Sequence, residues 1–97
     1  MTLELSIEDY LIARIKTLGG TAKKVTYKGC RGAPDRLVIL PGGRIVFVEL
    51  KRPKGGRLSE GQRVEIRLLS GLGAEVHVLR TREEVDDVFG LDEKIQV

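Results

Sequence analysis

Apolar residues near the start of the chain recur at intervals of three or four positions. They are Ile7, Leu11, Ile15 and Leu18. This spacing places them on one face of an α-helix. Ser6 precedes the run and can cap the helix, Asp9 stands where a capping box needs its second member, and two glycines follow at 19–20. The pattern predicts a first helix from Ser6 to about Leu18.

The middle of the chain changes to a pattern typical of β-strands. Short runs rich in apolar and β-branched residues are separated by glycine, proline and charged residues. The segment 41–44, Pro-Gly-Gly-Arg, is a turn signal between two of these runs. We therefore predict three consecutive strands, at about residues 22–28, 35–40 and 45–51.

A glycine- and charge-rich stretch, residues 52–57, is predicted to be a loop that leads into a second helix. Ser59 and Gln62 form a capping-box pair at the start of this helix. Glycines 71 and 73 follow its last periodic positions, so the helix is predicted to run through about Leu72.

The last part of the chain reads as a strand followed by a short helix. The strand is predicted over residues 75–80, and Thr81 with Glu84 then opens a helix that ends at Gly90. The order of elements is αβββαβα. Because a helix joins strands three and four, strand four should run parallel to strand three, beside it or one strand beyond. The predicted fold class is α/β, with a mixed four-stranded sheet: an antiparallel three-strand meander plus a parallel strand, flanked by helices.

Length and composition indicate an ordinary globular protein with a small core. The 97 residues are expected to form one domain, 1–97, in which 41% of the residues are hydrophobic and 32% charged. The net charge of +3 and the pI near 9.2 fit a polyanionic partner without identifying one. We expect no membrane segment and no signal peptide, and the single cysteine, Cys30, excludes an internal disulfide. We therefore expect a cytoplasmic protein. A phage or prokaryotic origin is compatible with this expectation.

The third predicted strand carries two charged residues on one face. Side chains alternate along a strand, so Glu49 and Lys51 share a face while Val48 and Leu50 lie on the opposite one. The strand is bracketed by apolar residues and is expected to be central. Two charged groups near the end of a central strand are costly unless they are paired, hydrated or bound to a ligand.

The predicted hairpin brings Asp35 to the same place. An even-length loop pairs Arg36 with Glu49, and a loop that differs by one residue pairs Asp35 with Glu49 directly. In either register the two carboxylates lie on the order of 5–7 Å apart between backbones. A hard divalent cation such as Mg²⁺ relieves their repulsion, and Mg²⁺ is commonly held by one or two carboxylates plus substrate phosphate. Lys51 is then placed to bind the scissile phosphate or to orient a water.

Each of these features also has a plainer interpretation when it is taken alone. A Glu and a Lys two positions apart on a strand often form a solvated face with a weak ion pair, and Pro-Asp commonly begins a turn. Their joint occurrence at this spacing, followed by a capped helix, favours a catalytic site.

Pro34-Asp35 together with Glu49-Leu50-Lys51 resembles the PD-(D/E)xK nuclease signature. The chain is more specifically similar to the VRR-NUC branch of that superfamily over residues 8–80. The shared features are a Glu in the first helix, a small-residue loop into Pro-Asp, the Glu-x-Lys strand and a Leu-Ser that opens the next helix before a Gln; they correspond to Glu8, Asp35, Glu49, Lys51, Leu58, Ser59 and Gln62. The resemblance implies a restriction-endonuclease-like core.

The resemblance also implies an activity and a site. Members cleave DNA phosphodiester bonds with Mg²⁺ or Mn²⁺ and leave 5′-phosphates. By position, Asp35, Glu49 and the Leu50 carbonyl would be metal ligands, and Lys51 would be the catalytic lysine. The other two matching positions have supporting roles: Gln62 would assist the lysine, and Glu8 would reach the metal region through water or a second ion. Small freestanding members resemble Holliday-junction resolvases and act as homodimers, whereas other members are domains of larger repair or phage replication proteins.

Three acidic or amide positions leave alternatives open. Glu8 lies at the edge of the apolar face of the first helix, where an ion pair with a nearby Lys or Arg is the other interpretation. Gln62 can simply cap its helix, and both of its roles can hold together. Glu65 falls inside the apolar face of the second helix, so either this helix is rotated from the prediction or Glu65 meets a partner at an interface.

Basic residues surround the predicted strand ends and form a candidate DNA-binding rim. They are Arg31, Arg36, Arg52, Lys54, Arg57 and Arg63. Contacts of this kind hold phosphates without reading bases, so structure-selective binding is expected. The alternative is a merely solvated charged surface. His77, between two valines of strand four, is interpreted as structural, and Cys30 has no His partner that would make it a nucleophile.

Two classes of function remain after the sequence has been read. The first is a metal-dependent DNA endonuclease that acts on branched or flapped DNA, with a homodimer preferred because the core is small. The second is a non-catalytic module that binds branched nucleic acid. A flap- or nick-type nuclease that needs a partner is a variant of the first class. The intact Asp35, Glu49 and Lys51 favour the enzyme, because a module without catalysis could lose any of them.

Overall fold

Four strands form one mixed sheet with three helices packed against it. The computed structural model describes residues 6–90. The elements are α1 (Ile7–Thr17), β1 (Thr21–Lys24), β2 (Arg36–Leu40), β3 (Arg44–Leu50), α2 (Glu60–Gly71), β4 (Glu75–Leu79) and α3 (Arg82–Val88). The strand order is β1-β2-β3-β4, with the first two pairings antiparallel and β3 parallel to β4. The predicted order αβββαβα and the parallel fourth strand beside strand three are confirmed.

The helix starts follow the predicted capping residues. The Ser6 hydroxyl oxygen accepts a hydrogen bond from the Asp9 N–H at 3.0 Å. Ser59 and Gln62 form the complete capping box at α2, in which each side chain bonds the backbone N–H of the other residue. These bonds satisfy backbone donors that the first helical turn leaves without an internal partner.

The first strand is shorter than predicted. It ends at Lys24, and the last backbone bond along this edge runs from Val25 N–H to the Asp35 carbonyl at 3.2 Å. The prediction of a strand to residue 28 was wrong, because the chain leaves the sheet after Val25 and crosses to α2. Tyr27 donates a hydrogen bond from its hydroxyl to Glu65 Oε2 at 2.6 Å, which holds this segment against the helix.

The hydrophobic core lies on one face of the sheet, under α1 and α3. Its buried members are Leu11, Ile15, Val38, Val46, Val48, Leu79, Val85 and Phe89. The predicted apolar face of α1 is confirmed, because Leu11 and Ile15 are fully buried and Ile7 and Leu18 pack at their edge. None of the helices in the described part of the chain is long and apolar enough to cross a membrane.

The other face of the sheet is covered only in part. α2 packs along β4, and none of its residues is fully buried. Within residues 6–90, five large apolar side chains remain exposed on this side. They are Ile39 (36% exposed), Ile45 (52%), Val64 (49%), Leu68 (53%) and Leu72 (76%). Ile39 and Ile45 are register partners on β2 and β3, and the other three follow one another at four-residue spacing along α2 and its C-cap residue, Leu72.

A charged cluster joins β3 and β4 at the end of the sheet where both strands begin. Glu75 accepts from Arg44 at 2.6 Å and lies 2.9 Å from His77 Nε2, and the Arg44 guanidinium lies over the Phe89 ring. This contact gives His77 a structural environment, as predicted. The bond from Arg44, followed by His77, lowers the pKa of Glu75 from 4.5 to about 2.

We predict that Glu75→Gln lowers the free energy of unfolding by about 0.5–1 kcal/mol at neutral pH, a small effect because the pair is partly exposed. A carboxylate whose folded pKa is depressed stabilises the fold above its unfolded pKa. Its contribution is lost as the pH falls from 4.5 toward about 2. Urea unfolding of both proteins at neutral pH and near pH 2 measures this. An equal difference at both values would contradict the prediction.

Candidate active site

The β2–β3 hairpin decides which residue faces Glu49. Leu40 pairs with Arg44 across a three-residue turn, and Arg36 pairs with Val48. Continuing this register by one residue places Asp35, which directly precedes β2, opposite Glu49. The second of the two predicted registers is therefore the one that forms. Gly42 and Gly43 make the turn possible, because both have positive φ angles, 92° and 88°, that other residues adopt only with strain.

Glu49 is the one buried charged residue among those the structure describes, with 2% of its surface exposed. Its Oε2 accepts a hydrogen bond from Gln62 Nε2 at 2.6 Å and lies 3.5 Å from Lys51 Nζ. Its Oε1 is buried and has no hydrogen-bond partner within residues 6–90. An ionised oxygen in this position lacks the compensation that buried charges normally have.

Burial raises the pKa of the Glu49 carboxyl, and the nearby Asp35 carboxylate raises it further. Lys51 and the backbone of Asp35 oppose this rise in pKa only in part. Two carboxylates facing each other with an orphaned buried oxygen form a site that attracts positive charge. A cation at this position would satisfy the oxygen that the protein itself leaves without a partner.

Asp35 is held in place from two sides. Its Oδ2 accepts a hydrogen bond from the Leu50 N–H at 2.8 Å, which ties it to the strand that carries Glu49. The loop before it packs directly on the start of α2. A Cβ at Gly32 would lie 2.6 Å from the Gly61 carbonyl oxygen, and Gly32 has φ of 100°, so only glycine fits this approach.

Gln62 caps its helix, as one of the two interpretations predicted, and also contacts Glu49. Its Oε1 accepts from the Ser59 N–H at 2.8 Å as part of the capping box, while its Nε2 donates to Glu49. The side-chain amide of Gln62 therefore both caps the start of α2 and holds the buried carboxylate of Glu49. Because the amide donates to only one oxygen of Glu49, it fixes the orientation of the carboxylate and leaves Oε1 directed elsewhere.

Glu8 is engaged in an ion pair. Its Oε2 accepts from Arg36 Nε at 2.8 Å, and Arg36 also donates to the Ala22 carbonyl at 3.0 Å. The ion-pair interpretation of Glu8 is confirmed. Arg36, with 15% of its side chain exposed, joins α1, β1 and β2. The structure therefore does not bring Arg36 to the outer basic rim with the other predicted DNA-binding residues.

Glu65 also has its partner inside the chain. Glu65 meets its partner within the chain and not at an interface with another molecule: it accepts from the Tyr27 hydroxyl, which comes from the loop after β1. Burial, followed by the Glu65 carboxylate, raises the pKa of Tyr27 to about 12. The hydrogen bond holds the loop that leads to Asp35 against α2.

The remaining basic residues are exposed around the strand ends: Arg31, Arg52, Lys54, Arg57 and Arg63. The sequence interpretation missed Arg80, whose Nη1 donates to the carbonyl oxygens of Arg52 at 3.2 Å and Gly56 at 2.5 Å. Arg80 thereby fastens the basic loop to the end of β4. The available signal was the parallel pairing of strands three and four, which places the residue after Leu79 beside the residue after Leu50.

The donor set fits a magnesium ion better than a metal held by many side chains. Within residues 6–90 there is no group of three or more His, Cys, Asp or Glu residues that could hold a metal. Two carboxylates, Asp35 and Glu49, with a backbone carbonyl beside them match the sparse protein ligation typical of Mg²⁺, which keeps waters and binds substrate phosphate.

The chain is similar to known proteins over most of its length. A curated relative named "Putative nuclease p44", from Acyrthosiphon pisum secondary endosymbiont phage 1, is 44% identical over 80 residues, which cover 82% of this chain and 85% of the relative. A solved structure described as a VRR_NUC domain matches with a TM-score of 0.81 and 37% identity, covering 86% of this chain and 89% of that one. No family model matches the chain.

Proposed function

The chain belongs to the VRR-NUC domain family, with its restriction-endonuclease-like fold, and from this membership we propose that it is a Mg²⁺-dependent DNA endonuclease. The relative's name and the shared fold support nuclease activity at the general level. The metal dependence rests on one observation above all, the buried Glu49 whose Oε1 lacks a partner beside a second carboxylate. We expect Mn²⁺ to substitute for Mg²⁺.

In this proposal Asp35, Glu49 and the Leu50 carbonyl hold the metal. When bound, Mg²⁺ would supply Lewis-acid stabilisation of the negative charge on the phosphate. Glu8 is already paired with Arg36, so its contribution would come through water rather than by direct ligation. The donor types present, two carboxylates and a backbone carbonyl, therefore fit the proposed ion.

Lys51 and Gln62 have separate tasks in the proposed reaction. Lys51, as an ammonium group on the face that carries Glu49, neutralises charge that develops on the phosphate oxygens and orients the attacking water by donating to it. Gln62 holds Glu49 in one orientation through the 2.6 Å bond. Water attacks phosphorus and loses a proton to solvent, the bond from phosphorus to the 3′ oxygen breaks, and that oxygen takes up a proton from solvent, so the products carry a 5′-phosphate and a 3′-hydroxyl.

We propose that the substrate is branched or flapped DNA inside the cell that carries the protein. The exposed basic residues around the strand ends fit contacts to phosphates, which are independent of sequence. No aromatic platform for base stacking accompanies them; the chain has two tyrosines and two phenylalanines, and Phe89 lies in the core. Selection by DNA shape is the expected result.

The activity is tested with end-labelled four-way junction, flap, duplex and single-stranded DNA. Each is incubated with Mg²⁺, Mn²⁺ or EDTA, with wild-type protein and with Lys51→Ala. Metal-dependent cutting that the variant lacks supports the proposal, and the ranking of substrates separates a junction resolvase from a flap or nick nuclease. Binding without cutting under every metal condition would leave the non-catalytic module as the function of this chain.

We further propose a homodimer that buries the partly covered face of the sheet. Among residues 6–90, the five exposed large apolar residues lie on this face: Val64 and Leu68 on α2, Leu72 directly after it, and Ile39 and Ile45 on β2 and β3. Val64, Leu68 and Leu72 follow one another at four-residue spacing and form the helix stripe. A two-fold axis through such a surface sets the helix stripe of each copy against the uncovered sheet of the other, because the same patch carries both halves.

Leu68→Asp is expected to abolish the dimer. A charge in the centre of an apolar interface typically costs more than about 2 kcal/mol, which weakens association roughly thirtyfold or more. Sedimentation velocity over a range of concentrations measures this. Ser70→Asp, which adds the same charge to the exposed opposite side of α2, is the control and should remain dimeric. A wild-type protein that sediments as a monomer at all concentrations would contradict the proposal.

A further inference from the structure

A cavity of about 590 Å³ opens beside Lys51. It lies between the first residues of α1, the chain that follows β3 and the junction of β4 with α3. Ile7, Leu50 and Pro53 form its apolar lining. The volume falls in the range of sites that hold one small molecule or one unit of a polymer.

The polar lining of this cavity is mostly cationic. Lys51, Arg52, Arg80 and Arg82 contribute positive charge, and Glu8 is the one carboxylate. Glu8 pairs with Arg36, which lies outside the lining, and Lys51 lies 3.5 Å from Glu49 Oε2. An apolar lining with several cations at its edge fits an anion that carries an apolar part, such as a nucleotide.

Two of the arginines are held where they stand by contacts within the fold. Arg80 donates to the carbonyls of Arg52 and Gly56, and the loop is so tight that a Cβ at Gly56 would lie 2.6 Å from the Arg52 carbonyl oxygen. The Arg82 guanidinium lies 5.5 Å from the centre of the Tyr10 ring. Groups held in this way lose less side-chain entropy when a phosphate binds.

We propose that this cavity binds one unpaired nucleotide of the cut strand, adjacent to the scissile phosphate. Its sugar and base contact Ile7 and Pro53, and its phosphate contacts Arg52 and Arg82. The inference rests on the proposed nuclease function and makes it more specific. A base stacked in a duplex cannot enter the cavity, so the substrate must supply an unpaired nucleotide at the position of the cut.

Arg82→Ala tests the phosphate contact, because Arg82 is exposed at the first position of α3. Substrates carry a neutral methylphosphonate at single positions on either side of the cut. In the wild-type protein, one neutral position should lower kcat/KM by about tenfold. In Arg82→Ala that same position should cause no further loss. Lys16→Ala, at the far end of α1, is the matched control and should behave as wild type.

Additive losses from Arg82→Ala and from every methylphosphonate position would overturn the proposal. Pro53→Trp, which narrows the cavity from an exposed loop, tests the nucleotide itself. It should weaken binding of DNA with an unpaired nucleotide at the cut site and leave binding of fully paired DNA unchanged. Equal weakening of both would mean that the cavity contacts phosphate only, and would overturn insertion of a nucleotide.

Binding in EDTA separates this inference from the nuclease activity. The magnitude of the slope of log K against log salt concentration should decrease by about 0.7 in Arg82→Ala relative to Lys16→Ala, measured by fluorescence anisotropy on a single-stranded oligonucleotide. This change is expected even if the wild-type protein cuts no substrate, in which case the proposed function fails alone. Identical slopes in the two variants would overturn the phosphate contact whatever the result of the cleavage assays.

Discussion

Glu49→Gln is expected to make the metal-free protein more stable and to abolish its nuclease activity. The buried Glu49 has one oxygen without a hydrogen-bond partner and faces Asp35. A glutamine side chain keeps an oxygen that accepts from Gln62 and places its NH₂ group where Oε1 stands, next to the Asp35 carboxylate. Removing an uncompensated buried charge should raise the free energy of unfolding by about 1–3 kcal/mol.

The activity loss has the opposite origin, because the same carboxylate is a proposed ligand of Mg²⁺. A metal supplies several kcal/mol of transition-state stabilisation, so its loss should reduce kcat/KM roughly a thousandfold. Mg²⁺ should raise the melting temperature of the wild-type protein, since it binds the folded state, and should leave that of Glu49→Gln almost unchanged. Thermal unfolding in EDTA and in Mg²⁺ measures both effects.

The stability difference between Glu49→Gln and the wild-type protein depends on pH. Burial and Asp35 raise the pKa of Glu49 above 4.5, so the folded protein holds this proton more tightly than the unfolded chain does. The wild-type protein therefore loses stability as the pH rises from 4.5 through the raised pKa. The melting temperatures in EDTA should be similar at acidic pH and diverge above it. Glu83→Gln, at an exposed position of α3, is the control and should change stability by less than about 0.5 kcal/mol.

A lower melting temperature of Glu49→Gln in EDTA at neutral pH would mean that the wild-type carboxylate is compensated in a way the structure does not show. Retention of cleavage by this variant would remove Glu49 from the proposed metal site. The two readouts are independent, because the first needs no DNA and the second needs no measurement of stability. A general unfolding of the variant would be visible in the same thermal scans.

Lys51→Ala is expected to reduce kcat/KM by roughly 10²–10³-fold, with little change in DNA binding. The ammonium group lies 3.5 Å from Glu49 Oε2, and Lys51 also lines the proposed nucleotide cavity, so Lys51 links the proposed metal site to the proposed binding site for the nucleotide. A positive charge that meets negative charge developing on the phosphate acts on the transition state more than on the bound substrate. The loss should therefore appear in kcat.

Lys54→Ala separates catalysis from binding, because Lys54 belongs to the exposed basic loop and does not contact Glu49. Lys54→Ala should raise KM and leave kcat near the wild-type value. Lys51→Ala should lower kcat and leave KM near the wild-type value. Single-turnover cleavage at saturating protein, combined with anisotropy in EDTA, gives the two quantities. A Lys51→Ala protein that cuts at the wild-type rate would show that the developing charge is met by other groups.

Glu49 and Lys51 lie where a requirement of the proposed activity conflicts with the stability of the fold. The sheet places a carboxylate on a central strand where it is buried, and Gln62 and Lys51 compensate only one of its two oxygens. We expect the negative charge of the other oxygen and of Asp35 to destabilise the metal-free protein. Binding of a cation would offset this destabilisation. For this reason Glu49→Gln is expected both to raise the stability of the metal-free protein and to remove its activity.

Much of this fold was predictable because it depends on near neighbours in the chain. The α1 and α2 starts follow from Ser6 and from the Ser59–Gln62 pair, each within one helical turn. The common face of Glu49 and Lys51 follows from the two-residue period of a strand. The order of strands follows from the short turn at 41–43 and from the helical connection between β3 and β4. Each of these features is encoded within a few residues.

Other features were decided only when distant segments met. The length of one turn selected the register that sets Asp35 against Glu49, and the sequence allowed two registers. Glu65 found Tyr27 across 38 positions of the chain, and Glu8 found Arg36 across 28. The segment that holds Tyr27 left β1 early to reach α2, which no local pattern indicated.

The amount of cover on each face of the sheet was also a tertiary outcome. The periodicity of the α2 sequence predicts an apolar stripe. It does not indicate whether other parts of the same chain bury that stripe. Local sequence thus determined the elements, their order and the residue types at the strand ends. The tertiary structure decided the pairing of the two carboxylates, the partners of Glu8 and Glu65, and the uncovered face. The physical reason is that hydrogen-bond geometry and burial depend on through-space distances between segments, and a local pattern does not specify these distances.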